Sequence, residues 1–116
     1  MTKVICFDTI CLMKWDIPEY EYLVQAFLNL KNRDEARRFL RDLLTKDEIK
    51  EFSGRLAAAK MLSEKRPYSS IIKATGLSST TVARVSKYLK NGRDGYKLVL
   101  NRLHHTHPLR EETGGG

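Results

Sequence analysis

No stretch of this chain approaches the ~18 consecutive apolar residues that a membrane-spanning helix requires, and neither end carries a lipidation motif. No membrane partner is therefore expected. Cysteine is almost absent: Cys6 and Cys11 stand in an apolar stretch with no histidine beside them. That usage argues against a disulfide framework or a thiolate metal site and suits a reducing, cytoplasmic location. The first residues, MTKVICFDTICLMKWD, superficially resemble a signal peptide. Asp8 interrupts the apolar part, however, and no small-residue cleavage site follows. Residues 1–15 read as an N-terminal arm whose pattern leaves strand, helix and loose chain equally open.

The constellations that enzyme chemistry needs are missing as well. No nucleophile and base stand at an interpretable spacing, no glycine-rich loop could cradle a phosphate, and the carboxylates sit at helix starts, not in facing pairs. No enzymatic activity is expected. His104, His105 and His107 are close in sequence but lie where a helix ends beside a polar tail, residues 106–116. Without a cysteine among them they read as a solvated cluster, not as metal ligands.

Positive charge, by contrast, is plentiful and unevenly placed. The 116-residue chain has a formal net charge of +7 and a pI near 9.6. From Arg55 to His104 there are eleven basic residues against two acidic ones, whereas the remainder holds ten against twelve. Such concentration is the footprint of a surface that meets a polyanion.

At the centre of that window stands YSSIIKATGLSSTTVARVSKYLK, Tyr68 to Lys90. Ile71, Ile72 and Thr75 line one face before Gly76, and Leu77, Val82 and Val85 line another after it. Glycine suits the left-handed position that closes a helix, and Ser78 or Ser79 can cap the next one through its hydroxyl. One helix thus stops and another starts within about three residues, the turn of a helix-turn-helix. The second helix of that motif enters the major groove of DNA. Its outward residues here are Ser79, Thr80, Thr81, Arg84 and Lys87, all hydrogen-bonding or basic. The full set expected to contact DNA is Ser69, Lys73, Ser78, Ser79, Thr80, Thr81, Arg84 and Lys87.

The rest of the chain reads as helical support. Asp16 with Pro18 and Glu19 signals a helix start, and the helix is expected to run to about Lys31 with Tyr20, Leu23, Val24, Phe27, Leu28 and Leu30 inward. A second begins at Asn32 and buries Ala36, Phe39, Leu40, Leu43 and Leu44. Thr45 and Glu48 form a capping box for a third, which reaches about Lys65 and carries the small residues Ala57 to Ala59. After Asn91 and Gly92 turn the chain, a last helix from Asp94 to about His105 turns Leu98, Val99, Leu100 and Leu103 inward. The expected fold class is all-α, about six helices in a single domain over residues 16–105, with the helix-turn-helix at about 68–90. So much apolar helix face exceeds what one such chain can cover, which points to a homodimer. Its two recognition helices would stand roughly 34 Å apart, one DNA turn, facing a pseudo-palindromic operator.

The stretch LLTKDEIKEFSGRLAAAKML, the run from Gly76 to Val85, the closing Asn91-Gly92, Tyr96 and Leu103, and LNLKNRDEARRFLRDLL together resemble the Trp repressor superfamily, most closely its YerC/YecD branch. The resemblance spans about Ile17 to His105. It implies an intertwined homodimer that binds operator DNA and regulates transcription, usually as a repressor. It also implies a ligand site for tryptophan or another small corepressor, to which Thr45, Arg55 and Arg84 would contribute. Tyr88 stands where tryptophan-responsive members have a serine, and a ring there would fill the cavity or stack on an arginine. No cofactor is accordingly expected, and Arg55 reads more simply as an ion-pair or phosphate contact. Two other readings stay open: a corepressor-dependent sensor, and a helical interaction module that offers its basic face to a protein or RNA partner.

Overall fold

A computed structural model of the chain describes residues 15–106. The arm as far as residue 14, with Cys6 and Cys11, and the tail from residue 107, with His107, lie outside the described residues, as do the side chains of His105 and Thr106. The described residues form six helices and no strand: α1 Pro18–Leu28, α2 Arg33–Leu43, α3 Lys46–Ser63, α4 Tyr68–Thr75, α5 Ser79–Asn91 and α6 Gly95–Thr106. The all-α class is as the periodicity indicates. The described residues divide into two compact units, one as far as Phe52 and one from Ser53, with the division inside α3.

In the first unit the helices are set by their ends. Pro18 opens α1 behind Ile17, whose extended backbone makes it the cap residue without a side-chain bond. Asp16, read as the capping carboxylate of this helix start, is therefore corrected: it stands one residue before the cap. α1 also stops at Leu28, short of Lys31, because Asn29 takes over its last turn by donating its side-chain amide to the Gln25 carbonyl at 2.8 Å. Asn32 then caps α2, accepting from the Glu35 amide at 2.9 Å, while Glu35 reaches back to the Lys31 amide at 2.9 Å. The Thr45 capping box forms as read: Thr45 accepts from the Glu48 amide at 3.0 Å and donates its own amide to the Glu48 carboxylate at 2.9 Å. Each such pair satisfies two of the amides that a helix start leaves orphaned.

Packing in this unit differs from expectation. Phe27 and Phe39 meet edge to face with centroids 5.5 Å apart, yet no residue of α1 or α2 is buried. Tyr20, Leu23, Phe27 and Leu43 are exposed, and Leu28 is 73% exposed. The faces read as inward are thus only partly covered within one chain: Val24, Leu30, Ala36, Phe39, Leu40 and Leu44 are half-buried, since two 11-residue helices supply too little surface to bury each other. Trp15, paired edge to face with Tyr20, is likewise exposed and is not a core residue of the chain.

The second unit holds the core. Ala58, Ala59, Ile71, Leu77, Val82 and Val85 form one buried cluster, with Met61, Leu62, Ile72, Tyr96 and Leu100 packed on it. The small side chains at 58 and 59, both with no exposed surface, let other elements approach α3 closely. α3 ends two residues earlier than Lys65: that residue adopts φ 64°, and the Lys65 and Arg66 amides turn back to the Leu62 and Met61 carbonyls, each at 3.0 Å. This is a Schellman closure with lysine in the place that favours glycine. Of the four α6 residues expected inward, only Leu100 packs on the cluster, together with Tyr96 of the same helix; Leu98, Val99 and Leu103 are 49%, 44% and 39% exposed, so those three are corrected. α6 packs along α5 on one side, and consecutive apolar positions on a helix cannot all face one neighbour.

Two glycines close helices for different reasons. Gly76 has φ 77° and open space where a Cβ would stand. Gly92 has an ordinary negative φ, but an added Cβ would lie 2.4 Å from the Tyr88 carbonyl oxygen. Gly76→Ala is expected to lose about 1 kcal/mol from backbone strain alone. Gly92→Ala should lose more, because the last turn of α5 must open; urea unfolding of the two variants would show the order.

Candidate nucleic-acid interface

The turn between α4 and α5 is three residues long, and each has one task. Gly76 supplies the left-handed step and donates its amide to Ile72 at 2.9 Å. Leu77 turns inward to only 7% exposure, with Gly54 of α3 giving it room: a Cβ there would stand 3.3 Å from the leucine side chain. Ser78 caps α5, accepting from the Thr81 amide at 3.1 Å. The choice between Ser78 and Ser79 as cap is thereby decided, since Ser79 is already helical. Thr75 braces the turn from the other side, donating its hydroxyl to the Ile71 carbonyl at 2.7 Å and accepting from the Leu77 amide at 3.2 Å.

α5 is two-faced. Val82, Val85, Ser86 and Leu89 are buried, while Ser79, Thr80, Arg84 and Lys87 are exposed. Ser69 and Lys73 on α4 and Ser78 in the turn are exposed too; Thr81 is half-buried. Ser78 also donates its hydroxyl to the Thr81 hydroxyl at 3.1 Å, which leaves the threonine proton to be given elsewhere. Neither α4 nor α5 has an acidic residue in its first turn, and no carboxylate occurs anywhere in either helix. The positive end of each helix dipole and the basic side chains therefore act with one sign toward an incoming anion.

The four residues that the ligand expectation rested on do different things. Thr45 lies in the other unit with its hydroxyl accepting in the capping box. Arg55 is half-buried on α3 and acts on Tyr96, whose phenol burial pushes above the usual range while the Arg55 charge draws it back. Arg84 lies over the ring of Tyr88, its guanidinium carbon 5.4 Å from the ring centroid. What the sequence did not foresee is an apolar groove of about 640 Å³ between α3 and α6, lined by Leu56, Ala57, Leu89, Leu100 and Leu103 and rimmed by polar side chains. The exposed side of an apolar helical pattern was the available signal. Among the described residues, no group of histidine, cysteine and carboxylate side chains could hold a metal ion.

The family described as Trp repressor protein matches residues 18–104. The chain belongs to this family. It is 39% identical over 88 residues to the uncharacterized protein YerC of Bacillus subtilis strain 168, covering 76% of this chain and 85% of that one. Among solved structures it is similar to a TrpR-like protein from Eubacterium eligens, at 44% identity and a TM-score of 0.73, over 77% of this chain and 92% of the other. A candidate Trp repressor from Staphylococcus aureus is 37% identical with a TM-score of 0.70, over 74% and 86% of the two chains. Trp repressor family membership makes the chain a helix-turn-helix regulator in kind and not an enzyme. No described helix is long and apolar enough to cross a membrane.

The cap bond gives a direct check on the turn. Ser78→Ala is expected to cost about 1 kcal/mol in urea unfolding, whereas Ser79→Ala, one position inside the helix, should stay within about 0.5 kcal/mol.

Proposed function

We propose that this protein is a sequence-specific, duplex-DNA-binding transcriptional regulator that acts in the cytoplasm as a homodimeric repressor. The observation that carries the reading is the outer face of α5, where every exposed side chain from Ser79 to Lys87 other than Ala83 is a hydrogen-bonding or cationic group, on a helix without a carboxylate. Thr80, Thr81 and Ser79 read base edges directly or through water. Arg84 presents its fork to a guanine edge or a phosphate, and Lys73, Lys87, Ser69 and Ser78 bind the backbone. Base contacts then choose the site, and phosphate contacts set affinity and register.

Dimerisation is supported by the surface that one chain leaves bare. Tyr20, Leu23, Phe27 and Leu28 on α1 and Leu98, Val99 and Leu103 on α6 are exposed large apolar residues, and fully burying one such side chain stabilises by about 1.5–3 kcal/mol. Several of them suffice to offset the loss of freedom on association. An intertwined pair, as in the family, covers these faces with their counterparts from the second chain. Two-fold symmetry then presents two α5 helices to a pseudo-palindromic operator.

Selection from genomic fragments at near-physiological salt, followed by competition against random duplex, tests the reading. The expected result is a pseudo-palindrome preferred by roughly 10³-fold or more. Thr81→Ala with Arg84→Ala should remove that preference while sedimentation still reports a dimer, and Lys87→Ala should weaken all duplexes alike and flatten the salt dependence by about one unit of slope. Binding that follows salt alone, with no site enriched, would overturn it in favour of a generic basic face.

A further inference from the structure

Arg84 carries no ion pair among the described residues, although it is exposed on a helix in the most basic part of the chain. A free arginine in that setting samples many rotamers, and ordering it on binding is costly. What constrains it here is a ring. Tyr88 stands one turn later on α5, where a side chain leans back over the preceding turn, and the Arg84 guanidinium sits over it at 5.4 Å. Tyr88 itself is well held. It is half-buried between the buried positions Val85 and Leu89, and its carbonyl accepts the Gly92 amide at 2.9 Å in the closing turn.

The kind of contact matters. A carboxylate partner would spend the in-plane N–H donors of the guanidinium, the same donors that grip the O6 and N7 of guanine. An aromatic ring engages only the face of the cation and leaves the edge donors available. We infer that Tyr88 is a positioning residue for DNA readout: its ring fixes Arg84 on the outer face of α5 with the donor edge uncommitted, without any small molecule. The inference rests on the DNA-binding reading above and adds to it what sets the specificity of its arginine. Thr81, three residues before Arg84, is ordered by a different device, the Ser78 cap. The two readout side chains are therefore pre-set from opposite ends of the helix. Because a ring of the protein's own already lies against Arg84, a free aromatic amino acid would have to compete with it in order to stack there.

The test uses the full chain as wild type, Tyr88→Phe and Tyr88→Leu, with Tyr88→Met replacing the leucine variant if circular dichroism shows the latter unfolded. Without DNA, the Arg84 side-chain methylene resonances are expected to be ring-current shifted in wild type and Tyr88→Phe and to lose that shift in Tyr88→Leu. With DNA, Tyr88→Phe should keep wild-type discrimination, whereas Tyr88→Leu should lose roughly 2- to 5-fold in preference for the selected site, the size of an exposed cation–π contact, with affinity for random duplex unchanged. Added tryptophan should change neither affinity. Equal discrimination by wild type and Tyr88→Leu, an unshifted Arg84 in wild type, or a preference sharpened by tryptophan would each overturn the inference while leaving DNA binding intact. A shifted Arg84 in a wild-type protein that discriminates no duplex would overturn the DNA reading, and the inference with it.

Discussion

The placement of α5 depends on the burial of Leu77 in a three-residue turn. A helix-turn-helix is useful only if its second helix leaves the first at a fixed angle, and a turn this short has no slack with which to correct an error. Gly76 takes the left-handed conformation that other residues pay for, Leu77 inserts into the core beside Gly54, and Ser78 holds the first amides of α5. Remove the buried leucine and the other two would close helices without aiming them. The core is built around the same point: Ile71 before the turn and Val82 and Val85 after it pack with Leu77 against Ala58 and Ala59 of α3. The apolar side of the motif is thus largely engaged, which frees its other side to be chosen for charge and hydrogen bonding.

That division explains why the surface of α4 and α5 can be so one-sided. Like charges on neighbouring turns repel, and a helix bearing Arg84, Lys87 and Lys90 without a compensating carboxylate gives up the modest stabilisation that ion pairs supply elsewhere. In α2, for comparison, Arg38 pairs with Asp34 at 2.9 Å, and at the end of α3 Lys60 pairs with Glu64. The interface helices do without such pairs because their stability comes from the buried cluster beneath them. In the proposed complex with DNA, phosphates would take the place that carboxylates hold elsewhere in the chain.

What could be read from the sequence is what is decided locally. The Thr45 and Asn32 caps, the left-handed Gly76 and the outward set on α5 depend on residues within one or two turns, and they form as the spacing indicates except that Thr81 is half-buried. Errors of register appear where two residues compete for one role: Asp16 and Ile17 for the first cap, Asn29 and Lys31 for the end of α1. Gly92 was legible as a turn but not for its cause, which is the approach of the Tyr88 carbonyl and not a left-handed backbone. The stack of Arg84 on Tyr88 is one of the two outcomes expected of a ring at that position, and its i, i+4 spacing permits it; the contact of Arg55 with Tyr96 was not legible, because it depends on which neighbour a side chain meets across the fold.

The inward faces of α1 and α6 failed for a more instructive reason. Periodicity reports that a face is apolar, not which chain will cover it. Leu28, Leu98 and Val99 obey the helical repeat and are nonetheless bare in the single chain. A unit whose helices α1 and α2 fully bury no residue draws little stability from its own core, because the ordering of each residue costs about 1–2 kcal/mol of conformational entropy that burial must offset. In the proposed dimer the offset comes from the second chain, so folding of the first unit and association become a single equilibrium. DNA binding would then inherit that coupling: the operator meets paired recognition helices only where the concentration of chains is high enough to complete the folds that hold them.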